Sequence, residues 1–286
     1  MRPPTILHYL GYDEDRGGVL TAVRQLAAPG GARHVLAVNR GFVARRRPCL
    51  KVWRGPAVLP ETISPGNAWL ALRAAAALVR HTARRRLVVH GQSRAGLLVA
   101  LWLWLLGQDA IVVSPHCYGR RRWFYRWAAG CLGARWTWLS PAMKRHYDAG
   151  TGGWAGCLPE PAPPAGATPA RPRHRRAGAP VILGGAGTLV EWKGWHLVVE
   201  ALALLDPAER ARLRFVHLGD GDGTAASADY GARLRRATAS AALDDRVEWR
   251  GWRDGTAELL GEIDALVIPS REEPMALAGL EALAAG

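Results

Sequence analysis

Short hydrophobic runs alternate along this chain with longer stretches whose apolar positions recur at helical spacing. Residues 5–10 and 35–38 read as strands, with a helix at 19–28 between them. Residues 87–90 read as a buried strand, followed by a helix at 95–106, a strand at 110–114, a helix at 121–132, a strand at 136–139 and a short helix at 141–147. The periodicity then stops. Residues 159–180 carry seven prolines among alanine, glycine and a basic run, the composition of an exposed linker. After it the alternation restarts, with strands at 181–184, 213–218 and 247–249 and helices at 195–205, 230–241 and 256–263. A last buried strand over 263–270 leads through a loop to a helix, for which Pro274 suits the first position because its missing N–H costs nothing there. Strand–helix alternation of this kind predicts an α/β protein with parallel sheets: a Rossmann-like domain at 1–158, a linker at 159–179 and a second Rossmann-like domain at 180–286.

Composition narrows the classes. The hydrophobic fraction of 49% supports ordered cores, and the longest apolar run, 97–106, is too short to span a bilayer. The N-terminus enters a strand without a signal-peptide pattern. The four cysteines, Cys49, Cys117, Cys131 and Cys157, have no metal-ligand spacing, so a reduced, cytoplasmic setting is expected. The net charge of +14 favours anionic partners: nucleic acid, phospholipid headgroups or phosphorylated small molecules. In 120–127 arginines interleave with aromatic rings, as expected of a helix lying on an anionic membrane surface or of one with a solvated basic face.

Candidate chemistry lies in the turns. Gly17–Gly18 precedes a helix, where backbone N–H groups and the helix dipole suit a phosphate. Gly184-Gly185-Ala186-Gly187 leads towards Lys193-Gly194, and Gly219-Asp220-Gly221-Asp222-Gly223 follows the strand at 213–218. None gives a dinucleotide fingerprint in its proper place or a Walker lysine, which disfavours a plain NAD or ATP site. Near the C-terminus, Glu273 and Glu281 lie eight positions apart. Glu273 is expected at the strand-to-helix junction and Glu281 about two turns inside the helix. The two carboxylates and the helix N-terminus would then converge where open α/β sheets bind ligands.

Read together, Lys193-Gly194 before a helix, Leu218-Gly219-Asp220-Gly221, the 247–252 strand running into Gly251, and Glu273-Pro274 with Glu281 resemble the group 1 (family 4) glycosyltransferases of the GT-B fold. The resemblance is strongest over 181–286. It implies two Rossmann-like domains facing across a cleft, a nucleotide-diphosphate-sugar donor, a glycan or lipid-linked acceptor, retention of anomeric configuration, and no metal or other cofactor. Lys193, the helix N-terminus with Leu277 and Ala278, and Gly17 and Gly18 would neutralise the diphosphate. Gly219 and Gly221 would form the second glycine turn of the donor site, Glu281 would hold the ribose hydroxyls, and Glu273 would face the donor sugar. His116, after the strand at 110–114, matches a family histidine that reaches that sugar; His90 is a weaker candidate, and Ser140 reads as a helix N-cap.

Two departures stand out. Thr188 occupies the place where the family usually carries an arginine, leaving Lys193 without its partner cation unless Arg271 compensates. The family also continues beyond the equivalent of Gly286 with a further strand and helices, so the resemblance implies a truncated chain with an incomplete second domain. A sugar-nucleotide-binding fragment without turnover, and a basic nucleic-acid-binding protein, are the alternatives. The latter is disfavoured because no RNA-binding or helix-turn-helix motif accompanies the charge.

Overall fold

The computed structural model describes residues 5–13, 18–27, 32–44, 51–59, 62–82, 87–91, 93–108, 110–116, 118–119, 121–147, 156–157, 178–253 and 255–286. The chain divides into two compact units, Met1–Pro161 and Ala162–Gly286. The stretch expected to be a linker lies almost wholly outside the described residues.

The first unit runs β1 (Thr5–Tyr9), α1 (Gly18–Ala27), β2 (Arg33–Asn39), β3 (Lys51–Gly55), α2 (Pro65–Thr82), β4 (Leu87–Gly91), α3 (Arg94–Leu105), β5 (Ile111–Val113), α4 (Arg122–Leu132), β6 (Thr137–Trp138), α5 (Pro141–Tyr147) and β7 (Gly156–Cys157). Its main sheet has the order β3-β2-β1-β4-β5, all parallel. α3 is apolar on nearly every side and buries most of its length, as a helix wedged into a core must. Its N-cap Ser93 accepts from the Gly96 N–H at 3.1 Å and donates to the Leu10 carbonyl at 2.7 Å, tying the helix start to the end of β1. Ser140 caps α5 as expected, accepting from the Met143 N–H at 3.2 Å.

β3 and α2 were not anticipated. α2 buries Ala71, Ala74, Ala75 and Leu78, and alanine gives little contrast between a buried and an exposed face. The approach to α2 is held by two buried asparagines. Asn39 donates to the Val58 carbonyl and accepts from its N–H, at 3.0 and 2.8 Å. Asn67 likewise clasps Leu59 and also donates to the Thr62 carbonyl.

The second unit runs β8 (Val181–Ala186), α6 (Trp195–Leu204), α7 (Pro207–Ala211), β9 (Leu213–Leu218), α8 (Ala225–Ser240), β10 (Val247–Trp249), α9 (Ala257–Glu262), β11 (Ala265–Leu266) and α10 (Leu277–Ala285). The sheet order is β10-β9-β8-β11, again all parallel. Trp195, Val199, Leu202, Phe215, Tyr230, Leu234 and Val247 form its main core, where α6 and α8 cover one face. Two parallel sheets with covering helices are two Rossmann-like units, as the alternation predicted.

Four local expectations need correction. Gly184 and Gly185 lie inside β8 rather than in a turn, paired with Val216 and His217 of β9, and close packing accounts for the glycines: a Cβ would fall 2.5 Å from the Ile263 side chain on one face and 2.7 Å from the Trp195 ring on the other. The strand expected over 263–270 pairs only at Ala265 and Leu266, at the sheet edge, and is half-exposed rather than buried. α10 starts at Leu277, not Pro274, so Glu273 sits in the preceding loop and Glu281 little more than one turn into the helix. α8 begins at Ala225, five residues before the expected start, because Thr224 accepts from the Ser227 N–H at 3.2 Å and caps it there.

Candidate active site

All the loops that follow strands in the second unit leave the same, carboxyl, edge of the parallel sheet; Lys193 and Glu273 lie on them, and Glu281 lies in the helix that follows the last. The loop after β8 runs through Gly187 and Thr188 into a 3-10 turn at Glu191–Lys193, which ends at Gly194. Gly194 takes a left-handed backbone, φ 74°, and a Cβ on it would lie 2.2 Å from the Pro269 carbonyl oxygen. Only glycine lets the lysine turn press so closely on the loop after β11. The Arg271 N–H donates to the Trp192 carbonyl at 2.9 Å, closing the same junction.

That junction brings Lys193 and Glu273, 80 positions apart, together. Lys193 Nζ lies 2.5 Å from Glu273 Oε2, both side chains being less than one-fifth exposed. Ser270 Oγ donates to the same carboxylate oxygen at 2.9 Å. Lys193 Nζ also stands 4.5 Å from the centroid of the Trp192 ring, a cation–π arrangement. Glu281 has a different partner: its Oε2 accepts from Thr256 Oγ1 at 2.6 Å. The expected convergence of the two carboxylates therefore takes another form, with each glutamate held by its own hydroxyl. The first turn of α10, with Leu277 and Ala278, has no side-chain cap, so its N–H groups are suited to an anion.

Beside this lies the second glycine turn. A Cβ on Gly219 would fall 1.9 Å from the Gly187 carbonyl oxygen, and the Leu189 N–H donates to the Asp220 carbonyl at 3.0 Å. A Cβ on Gly221 would meet Ser227 Oγ at 2.9 Å. Both glycines are thus explained by loop packing within the unit. Below them His217 is fully buried, its ring 4.4 Å from that of Trp195 and 5.2 Å from that of Trp249. Burial holds its pKa down to about 3, against a smaller upward pull from the Gly187 backbone, so the imidazole is neutral. Thr188 uses its carbonyl to accept from Trp195 Nε1 at 3.0 Å. Arg250 is clasped by Glu248 and Glu262, at 2.9 and 2.7 Å, fixing the end of β10 against α9.

In the first unit Gly18 opens α1, while Gly17 lies outside the described residues. His116 is half-buried in the segment after β5. His90 is buried, with Nε2 3.0 Å from Ser114 Oγ. It belongs to a row across three strands: His8 Nε2 lies 2.8 Å from His34 Nδ1, and the His8 and His90 rings are 5.5 Å apart. Burial, and then the neighbouring His34, hold His8 down to about 4; burial, with His8 and His116 as smaller causes, holds His90 down to about 3.

Ser270 as a support for Glu273 and Thr256 as a support for Glu281 were not singled out from the sequence. Ser270 lies three residues before Glu273, a usable hint, whereas Thr256 is 25 residues from Glu281 and left no local signal. Among the described residues, no group of three or more His, Cys, Asp or Glu side chains is placed to hold a metal ion. No helix there is long and apolar enough to cross a membrane.

Residues 180–286 match the family described as "Glycosyl transferases group 1". A curated relative, the lipopolysaccharide core biosynthesis glycosyltransferase LpsE of Rhizobium meliloti (strain 1021), is 34% identical over 110 residues, which are 38% of this chain and 28% of that protein. The match thus spans little more than a quarter of that relative's length. Among solved structures, sucrose-phosphate synthase (tll1590) from Thermosynechococcus elongatus superposes with a TM-score of 0.78 at 18% identity, covering 100% of this chain and 80% of the other. Anabaena Alr3699/HepE, in complex with UDP and glucose, gives 0.73 at 17% identity, covering 98% and 78%. These likenesses show the fold, which is that of the GT-B glycosyltransferases.

Proposed function

We propose that this chain is a group 1 glycosyltransferase that moves a sugar from a nucleotide-diphosphate-sugar donor to a glycan or lipid-linked acceptor, with retention of anomeric configuration. The observation that carries this reading is the carboxyl edge of the second sheet. There Lys193 and Glu273 lie on loops, and Glu281 and the uncapped start of α10 on the helix that follows, all within the segment that matches the group 1 family. Lys193 and the first-turn N–H groups of Leu277 and Ala278 would stabilise the diphosphate as it leaves, the task a divalent cation performs elsewhere, and we read the reaction as metal-independent. Glu281, pre-set by Thr256, would accept from the ribose hydroxyls, and Glu273 would orient the sugar hydroxyls. HepE, seen with UDP and glucose, supports a nucleotide-sugar donor. Gly17 and Gly18 are assigned to the diphosphate and His116 to the donor sugar, on the strength of the resemblance.

A thermal-shift panel of UDP-, GDP- and ADP-sugars tests the donor site. One sugar nucleotide is expected to raise the unfolding midpoint. Lys193→Ala should weaken that ligand by about tenfold or more, since a hydrogen bond to a charged group is worth about 1.5–3 kcal/mol. Glu281→Ala should weaken it by a similar factor. If no nucleotide stabilises the protein, the reading fails.

We assign the reaction to the cytoplasm, with α4 resting on an anionic membrane surface. Trp123 and Trp127, one helical turn apart, are 67% and 53% exposed beside Arg122. Sedimentation with anionic but not neutral vesicles, lost in a Trp123→Ala/Trp127→Ala variant, is the expected result.

A further inference from the structure

The cation assigned to the donor's phosphates is already neutralised inside the protein. Lys193 Nζ rests 2.5 Å from Glu273 Oε2, and the carboxylate oxygen that holds it is itself steadied by Ser270 Oγ at 2.9 Å. Both charges are largely withdrawn from water, so screening is weak and each depends on the other. An incoming diphosphate must draw Lys193 away from Glu273. The freed carboxylate then stands beside new negative charge, with the Ser270 hydroxyl as its remaining partner within this cluster. Hydroxyl donors on the ligand itself would relieve that cost; a terminal phosphate would worsen it.

We infer that Glu273 is a specificity-determining residue that makes the site prefer a sugar-loaded nucleotide over the bare nucleoside diphosphate, by occupying Lys193 until a ligand supplies hydroxyls in exchange. This rests on the donor-site reading above and adds a direction to it. Glu273 opposes binding of the leaving nucleotide while favouring binding of the donor. The same exchange promotes release of the nucleoside diphosphate once the sugar has gone, because Glu273 reclaims Lys193.

Calorimetric titration of the intact chain with UDP and UDP-glucose, GDP and GDP-mannose, and ADP and ADP-glucose identifies the pair that binds, and that pair is used throughout. Glu273→Gln keeps the shape and removes the charge. It is expected to bind the bare nucleoside diphosphate about fivefold more tightly and the sugar-loaded form no more tightly, a shift of the order expected when a charge-assisted pair is removed. Glu273→Ala should move the preference in the same direction, which guards against one variant failing to fold. In a Lys193→Met background the gain from Glu273→Gln should shrink, since no cation remains to be released. A folded Glu273→Gln protein whose affinity for the bare nucleotide is unchanged or lower overturns the inference while leaving the donor site standing. Failure of the wild-type chain to bind either form of any pair overturns the donor-site reading itself.

Discussion

At Gly194 a single missing Cβ decides where a charge can go. The left-handed backbone there and the 2.2 Å approach to the Pro269 oxygen let the lysine turn dock on the loop that carries Glu273. Gly194→Ala is therefore expected to destabilise the second unit by about 2 kcal/mol or more, combining a disfavoured backbone region with a contact that only backbone movement relieves. Urea unfolding checks the size, and nucleotide affinity should fall with it because Lys193 loses its seat. Lys193, Glu273 and Glu281 were legible in the sequence because a short pattern surrounds each. Their hydroxyl supports were less so. Thr256 reaches Glu281 across 25 positions and an intervening helix and strand, and nothing local marks that pairing. The ion pair itself was also unforeseen, since the sequence reading gave Lys193 to a ligand rather than to Glu273.

Among the elements, the segment between β2 and α2 is held by side chains that imitate a β-ladder. Asn39 offers Val58 one donor and one acceptor, and Asn67 does the same for Leu59. Asn67→Leu should cost about 2–3 kcal/mol, because it leaves buried backbone groups of Leu59 and Thr62 without partners. Asn67→Asp, which keeps the acceptor but loses the donors, should also destabilise. Denaturant titrations of both variants measure this. Such clasps and a row of alanines explain why the approach to α2 and the helix itself were hidden from a reading of hydrophobic period, while β3, Lys51-Val52-Trp53-Arg54-Gly55, is too short and polar to stand out before it pairs with β2. α7 was missed despite a visible signal, since Asp206, Pro207 and Glu209 form a capping box with proline in its first turn. The start of α10 was misplaced because Pro274 is compatible with a first helical turn without requiring one.

For the molecule as a whole, the alternation of strands and helices sufficed to predict two parallel sheets, since period and order are local properties. The same pattern carries no record of which strands become edges, and β11 was accordingly expected to be buried. Both units bury neutral histidines, and this gives the protein a common response to acid. His8 in the first unit titrates at about 4, His90 there and His217 in the second at about 3, all lowered chiefly by burial from 6.5. A histidine whose folded pKa is depressed takes up its proton more readily when unfolded. Its contribution is therefore intact above the unfolded value and is lost as pH falls from about 6.5 towards the folded one. Between those limits each such histidine steepens the loss of stability by about 1.4 kcal/mol per pH unit. Urea unfolding at pH 7.5, 6 and 5 should show a progressive fall, and His217→Leu should flatten it for the second unit by the share of one proton. An unfolding free energy that is flat across this range would contradict the burial of these rings.

The crossing of the Gly187 and Gly219 loops bears on how this gene can vary. Every amino acid other than glycine carries a Cβ, and at position 219 any Cβ lands 1.9 Å from a backbone oxygen. Every replacement of the glycine therefore meets the same obstacle, whatever its polarity or charge. Saturation mutagenesis should find position 219 intolerant throughout, while Thr188, whose bond to Trp195 is made by its backbone carbonyl, accepts many replacements. Divergence around these loops is thereby channelled into their side-chain positions, and the path of the main chain through them stays fixed.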